Sequence, residues 1–201
     1  PLADSDDAQL RLYLERAYGI IHRGSIADGL TVVLRGNSYH PIKDYLDALE
    51  WDGGERLDEL FINVLGAPDT AYTRAVTRKS FTAAVARIYR PGVKFDYVTT
   101  IIGEQGIGKS STLARMGGAW FSDSVTNVEG KEALESIQGS WIIELGEMAG
   151  LRKTEVEKVK AFVSKTEDRF RVAYGKRLEH FPRRCVFFAT SNEDYPLRDA
   201  T

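Results

Sequence analysis

The sequence predicts an α/β fold in which a mainly helical region, residues 1–94, precedes a parallel sheet covered by helices, residues 95–201. Apolar residues recur at helical spacing in the first part of the chain, whereas apolar runs of strand length alternate with helical segments in the second. Continuous apolar strands are typical of parallel sheets that are buried on both faces. A glycine-rich loop also joins the first of these strands to a helix.

Apolar stripes at helical spacing predict the elements of residues 1–94. The first stripe consists of Leu10, Tyr13, Leu14 and Ala17. A second stripe consists of Leu57, Leu60, Phe61, Val64 and Leu65. Asp69 is expected to cap a long helix that ends near Arg90, before a Pro-Gly pair. Its inward face is predicted to carry Phe81, Ala84, Val85 and Ile88. Residues 31–34, which lie between glycines, are predicted as a short strand.

Strands and helices alternate from about Asp96 onward. Strands are predicted at residues 97–102, 119–121, 140–145 and 184–190, and helices at residues 131–137 and 153–164. The single cysteine, Cys185, lies in the last strand and is predicted to be buried there rather than to act as a reactive thiol.

The loop after the first of these strands predicts a nucleotide site. Residues 103–110 read Gly-Glu-Gln-Gly-Ile-Gly-Lys-Ser and fit the phosphate-binding pattern G-x-x-x-x-G-K-[ST]. Glycines let consecutive backbone N–H groups surround phosphate oxygens, and the following helix adds its positive end. Lys109 is expected to reach the β- and γ-phosphates and the Ser110 hydroxyl to hold Mg²⁺, so the predicted cofactors are ATP and Mg²⁺. The predicted nucleotide-binding residues are Gly103, Glu104, Gln105, Gly106, Ile107, Gly108, Lys109, Ser110 and Ser111.

Polar residues at the ends of two later strands complete the predicted catalytic set with Lys109. Glu144 ends one apolar strand, and Glu147 follows three residues on. An ATPase needs one carboxylate to support Mg²⁺, here Glu144 beside Ser110, and another can polarise the attacking water. The sequence does not separate Glu144 from Glu147 for the catalytic role. Asn192 follows the last strand and is expected to orient the attacking water or contact the γ-phosphate. Solvated strand-end carboxylates and a turn asparagine are the alternatives.

A basic segment occupies residues 168–184, with six Lys or Arg against two acids. Apolar residues alternate with Arg169 and Arg171 before a glycine, which predicts a hairpin with Lys176 and Arg177 at its tip. Such a tip could grip a nucleic-acid backbone, and an ordinary solvated hairpin is the alternative.

The composition restricts the class of protein. A formal net charge of −2 gives no overall nucleic-acid signature, so any basic surface must be local. One cysteine excludes a disulfide within the chain. The absence of a signal peptide and of an apolar run of transmembrane length predicts a cytoplasmic protein. The chain begins at Pro1 without Met and is expected to be part of a longer protein.

Four motifs in this order resemble the virulence-associated protein E family of phages, satellites and pathogenicity islands. They are residues 103–110, 141–147 (Trp-Ile-Ile-Glu-Leu-Gly-Glu), 168–174 (Asp-Arg-Phe-Arg-Val-Ala-Tyr) and 182–192, with the tail at 197–201; Trp51, Asp52, Gly53 and Asp96 also match. The core of that family is similar to superfamily 3 helicases of the AAA+ group. The resemblance therefore implies a P-loop NTPase fold of this type.

The same resemblance implies an ATPase in the DNA replication of a mobile element, working as a homo-oligomeric ring, expected to be a hexamer. It assigns Lys109 and Ser110 to nucleotide and metal, the acidic strand end to the Walker B element, and Asn192 to sensor 1. The hairpin would meet single-stranded or origin DNA in the ring channel through Lys176 and Arg177.

One departure from the family pattern concerns its arginine-bearing segment, which would follow Thr201. Such a finger contributes about 10³ to 10⁵ in rate, so this chain is expected to bind ATP and turn it over slowly. Arg183, Arg184 or Arg198 are candidates to substitute for it.

Two other functions compete with a DNA-dependent ATPase. A non-catalytic nucleotide switch would bind ATP without turnover, and the missing finger favours it. A P-loop kinase for small molecules would use Arg169 and Arg171 as lid residues, but it has no evident use for paired strand-end acids followed by a Thr-Ser-Asn strand end.

Overall fold

The computed structural model describes residues 3–146, 153–173, 175 and 177–192. The chain forms two compact units, Pro1–Asp44 and Tyr45–Thr201. The division that the sequence predicts near residue 94 falls inside the second unit.

Helices build the first unit. Helix α1 spans Asp4–Tyr18, α2 spans Arg23–Gly36, and α3, at Pro41–Asp47, begins within this unit. The helix predicted from the first apolar stripe is confirmed as α1, but the stripe itself is not a buried face, because Tyr13 and Ala17 are exposed.

The strand predicted at residues 31–34 is wrong, because these residues lie within α2. His22 caps this helix by accepting a hydrogen bond at Nδ1 from the Ser25 backbone N–H (3.1 Å). Ile26 is buried and Leu30, four residues on, is half-buried. This helical spacing outweighs the strand preference of the β-branched residues in the run.

Two helices precede the sheet in the second unit, α4 at Leu60–Leu65 and α5 at Ala71–Tyr89. The cap predicted at Asp69 is wrong. Thr70 caps α5 through Oγ1, which accepts from the Thr73 backbone N–H (3.1 Å), whereas Asp69 forms an ion pair with Arg74. The predicted inward face of α5 is confirmed at Phe81, Ala84 and Ile88 but not at Val85, which is exposed.

A four-stranded sheet with two layers of helices forms the centre of the second unit. Its strands are β1 at Val98–Ile102, β2 at Phe121–Ser122, β3 at Ile142–Leu145 and β6 at Val186–Ser191, and its helices are α6 at Lys109–Gly117, α7 at Gly130–Ser136 and α8 at Lys153–Val163. The strand order is β1-β6-β3-β2, and every neighbouring pair is parallel. The predicted α/β architecture with a parallel sheet is therefore confirmed. The strand predicted at 119–121 is shifted, since Gly118–Trp120 forms a 3₁₀ turn.

Alternate residues of the central strands face different helices. On one face, Ile143 and Phe187 pack among buried residues of α7 and α8. On the other, Phe188 lies 5.5 Å from the ring of Phe81 in α5. Glu144 pairs with Phe188 in register, so its side chain starts on the α5 face of the sheet.

A buried arginine ties α5 to the strands. Arg87 is fully buried and donates to the carbonyl oxygens of Cys185 (2.7 Å), Val93 (3.1 Å) and Phe95 (3.1 Å). Burial lowers the pKa of this guanidinium from its ordinary value. Cys185 is buried as predicted, and burial raises the pKa of its thiol to about 11.

The predicted hairpin is confirmed as a separate two-stranded antiparallel sheet. Its strands are β4 at Glu167–Phe170 and β5 at Glu179–Pro182. The rings of Phe170 and Phe181 stack across it, with 4.4 Å between their centroids.

A buried ion pair attaches this hairpin to the core. Arg183 follows β5 and donates from Nε and Nη2 to the two carboxylate oxygens of Asp168, at 2.9 and 2.8 Å. Its Nη1 donates to the Phe162 carbonyl oxygen, and its guanidinium carbon lies 4.5 Å from the Phe162 ring centroid and 5.5 Å from that of Phe187. One charged group therefore joins the hairpin, α8 and β6.

Candidate nucleotide site

The glycine-rich loop connects β1 to α6, as predicted. Gly106 and Gly108 have φ of 89° and 92°, a left-handed conformation that favours glycine. Gly108 directly precedes the first residue of α6, so the free N–H groups of that helix begin where the loop ends. The Gly103 N–H donates to the Ser191 carbonyl oxygen (3.2 Å), which holds the start of the loop against β6. This geometry suits a phosphate group.

Lys109 lies inside the loop rather than in solvent, with 7% of its surface exposed. Its Nζ donates to the carbonyl oxygens of Gly103 (2.7 Å) and Glu104 (2.9 Å) and to Asn192 Oδ1 (2.9 Å). An ammonium group has three hydrogens, so these contacts use all of them. The loop, its lysine and the end of β6 therefore form one hydrogen-bonded group.

Glu144 lies beside the first turn of α6 and is 4% exposed. Its Oε1 accepts from Ser110 Oγ (2.7 Å) and from Thr190 Oγ1 (2.5 Å). Its Oε2 is buried and, among the residues that the structure describes, is the only buried side-chain nitrogen or oxygen without a hydrogen-bond partner.

The unpaired Oε2 of Glu144 is a possible ligand for a metal ion. Mg²⁺ is bound in proteins by one or two carboxylates, together with water and substrate phosphates, and the first turn of α6 adds the Ser110 hydroxyl. A buried carboxylate oxygen without a donor is the kind of atom that a cation or its water would satisfy. Ser110 and Glu144 therefore fit Mg²⁺.

The structure brings together four of the predicted site residues, Lys109, Ser110, Glu144 and Asn192, at the carboxyl end of the parallel strands. Ser111 is exposed in the first turn of α6. Glu147 lies outside the described residues. The sequence analysis did not include Thr190 among the site residues. Its position could have indicated it, because Thr190 lies two residues before Asn192 and residues two apart in a strand point to the same face.

The hairpin tip is described in part. Arg177 and Arg171 are exposed and contact no other described residue through an ion pair, whereas Lys176 lies outside the described residues. Arg169 forms an ion pair with Glu167. The hydrogen bonds that Glu167 makes with Arg169 and with His180 hold the pKa of the Glu167 carboxyl below its ordinary value. Among the described residues, Arg171 and Arg177 therefore supply the cationic charge at the tip that no carboxylate pairs.

The candidates for a substitute finger differ in their surroundings. Arg183 cannot reach a neighbouring subunit's nucleotide, because it is 2% exposed and its guanidinium donates to both carboxylate oxygens of Asp168. Arg184 is exposed, and Arg198 lies outside the described residues.

The second unit matches the family model of the virulence-associated protein E-like domain over residues 46–201. The chain belongs to this family. Three solved apo structures of the NrS-1 C-terminal region resemble this virulence-associated protein E-like chain, each with a TM-score of 0.45 and 17%, 18% or 19% identity. Each similarity covers 74% of this chain and 35–36% of the NrS-1 chain. The chain therefore spans about a third of the length of these structures.

No curated protein matches this virulence-associated protein E-like chain. Among its described residues, no helix combines the length and the apolar character needed to cross a bilayer.

Proposed function

We propose that this chain is an ATP-hydrolysing, DNA-dependent motor domain of the P-loop NTPase type, similar to superfamily 3 helicases of the AAA+ group. It would act in the replication of a phage or mobile element as a homo-oligomeric ring, a hexamer. The observation that carries the proposal is the convergence of Lys109, Ser110, Glu144 and Asn192 at the carboxyl end of the parallel strands. Family membership supports the replication context.

The residues of the glycine-rich loop would bind the phosphates of ATP. The N–H groups at the start of α6 would hold the phosphates of ATP, and Lys109 would exchange its carbonyl partners for phosphate oxygens. Ser110 and Glu144 would hold Mg²⁺, which supplies charge neutralisation at the β- and γ-phosphates.

The strand ends supply the groups for hydrolysis. Asn192 Oδ1 lies 2.9 Å from Lys109 Nζ, so its amide is close enough to the lysine to reach the same γ-phosphate or an attacking water. Glu144 and Glu147 both remain candidates for the base that polarises this water.

ATP hydrolysis by Glu144→Gln tests the proposal. We expect this variant to retain ATP binding, because its amide keeps the size of the side chain. Turnover should fall roughly 10²- to 10⁴-fold, the usual contribution of a lost acid–base group. Phosphate release would be measured at steady state with and without single-stranded DNA, and Glu157→Gln on the exposed face of α8 is the matched control.

The outcomes separate the competing functions. Hydrolysis that rises with DNA and falls in Glu144→Gln supports the motor. Tight ATP binding without turnover, with or without DNA, would favour the switch. Transfer of phosphate to an added small acceptor would favour the kinase. A chain that does not bind ATP at all would refute the proposal.

Replacing both Lys176 and Arg177 by alanine should weaken DNA binding at the hairpin tip. Each phosphate contact contributes about 0.7 to the salt slope for single strands, so the slope should fall by about 1.4. Fluorescence anisotropy of labelled single-stranded DNA over a salt series measures both quantities. The double variant Lys131→Ala, Lys158→Ala removes the same charge from α7 and α8 and should change them less. Equal affinity and slope in the wild-type and hairpin variants would exclude the tip as the DNA contact.

A further inference from the structure

Thr190 contacts the candidate site through one hydrogen bond. It lies in β6, which pairs with β1 on one side and β3 on the other. Its side chain is held in this central strand, and Oγ1 donates to Glu144 Oε1 at 2.5 Å. A hydroxyl has a single hydrogen, so this contact uses the only donor that the side chain has.

Two donors therefore meet at the same carboxylate oxygen. Ser110, in the first turn of α6, and Thr190, in β6, both bind Glu144 Oε1, and neither binds Oε2. A carboxylate whose one oxygen is held from two elements has a fixed plane, so the position of its other oxygen is fixed as well. Buried polar atoms are normally paired, and a bound ion or water is one of the ways in which an unpaired carboxylate oxygen is satisfied.

We propose that Thr190 is a positioning residue that holds Glu144 through Oε1 and so leaves Oε2 free for the metal ion or a water bound to it. This inference rests on the proposed function, because it needs Glu144 to act at a Mg²⁺ site. Groups that orient metal ligands without touching the metal typically change metal affinity by about 10- to 100-fold when they are removed.

Thr190→Val tests this role, since it replaces the hydroxyl by a methyl group of similar size. Mn²⁺ binding is followed by electron paramagnetic resonance in the presence of a non-hydrolysable ATP analogue. We expect Mn²⁺ to bind about 10- to 100-fold more weakly to this variant. The affinity for the analogue alone, measured in EDTA, should stay at the wild-type value. Thr190→Ser should restore Mn²⁺ affinity to within a few-fold.

Thr99→Val is the matched control. Thr99 lies in β1, and its hydroxyl contacts Ser80 Oγ (2.5 Å) instead of Glu144, so this change also removes a hydroxyl from the sheet. Its Mn²⁺ affinity should equal that of the wild type. Should Thr190→Val fail to fold, the same comparison is made between Thr190→Ala and Thr190→Ser.

Three results would overturn the positioning role. They are wild-type Mn²⁺ affinity in Thr190→Val, an equal loss in Thr99→Val, and an equal loss of metal-free nucleotide affinity in Thr190→Val. A wild-type chain that binds neither the analogue nor Mn²⁺ would refute the proposed function as well, so the two failures are distinguishable.

Discussion

Lys109→Ala is expected to abolish productive binding of Mg-ATP. The ammonium of Lys109 is the buried cation of the loop, and it would contact two phosphate groups. Each hydrogen bond to a charged group contributes about 1.5–3 kcal/mol, so the variant should lose roughly 10²- to 10⁴-fold in affinity. Isothermal titration with a non-hydrolysable analogue and Mg²⁺ measures this loss directly.

Arg115→Ala is the control for this change. Arg115 is exposed in the last turn of the same helix, α6, so its replacement removes one positive charge at the end of the helix far from the loop. It should bind the analogue as the wild type does. Unchanged affinity in Lys109→Ala would refute the assignment of residues 103–110 as a phosphate-binding loop. A thermal unfolding curve for each variant shows whether the loss comes from binding or from folding.

Arg183→Met is expected to lower the free energy of unfolding more than any other substitution proposed for this chain. The change leaves the Asp168 carboxylate, 1% exposed, without its cation. Removing one partner of a buried ion pair typically lowers the free energy of unfolding by about 3–5 kcal/mol. That is a large part of the 5–15 kcal/mol by which a typical domain is stable. Urea unfolding of the variant and the wild type would measure the difference.

A second pair in the same hairpin provides the comparison. Arg169 is exposed and Glu167 is half-buried, so solvent screens their ion pair, and Arg169→Met should lower the free energy of unfolding far less than Arg183→Met. The double variant Arg183→Met, Asp168→Leu replaces the whole buried pair by apolar groups and should recover much of the loss. A small effect of Arg183→Met alone would show that the carboxylate gains another partner or water.

The candidate site was visible in the sequence where its residues are adjacent along the chain. The loop at residues 103–110 and the strand-to-helix context were visible in one continuous stretch. Glu144 and Asn192 were predicted because parallel strands end at a common edge. Their contacts with Ser110 and Lys109 confirm that placement, while the catalytic roles stay predictions.

Long-range polar contacts could not be predicted in the same way. Arg87 and Cys185 are separated by 98 residues, and nothing in the apolar pattern of α5 shows that an arginine replaces an apolar residue on its buried face. Likewise, Arg183 belongs to the basic segment by composition, yet its partner Asp168 removes it from the exposed charge. Charge counted along the chain does not reveal which cations are buried.

Local signals also failed where two of them competed. The run Thr-Val-Val-Leu at residues 31–34 has strand preference, but the cap at His22 and the spacing of Ile26 and Leu30 place it within a helix. Histidine is not among the preferred capping residues, so the start of α2 had no clear marker.

Lys109 makes three hydrogen bonds within the protein, so any ligand of this lysine has to compete with them. In the proposed site, a phosphate would have to replace the two backbone carbonyls, of Gly103 and Glu104, that Lys109 already contacts. The net affinity for any anion is therefore the difference between two sets of hydrogen bonds. A simple anion with few contacts would gain little from this exchange, whereas a triphosphate that also contacted the α6 N–H groups would gain much more. We therefore expect the proposed site to favour a triphosphate over the abundant small anions of a cell, because Lys109 already has hydrogen-bond partners before a ligand binds.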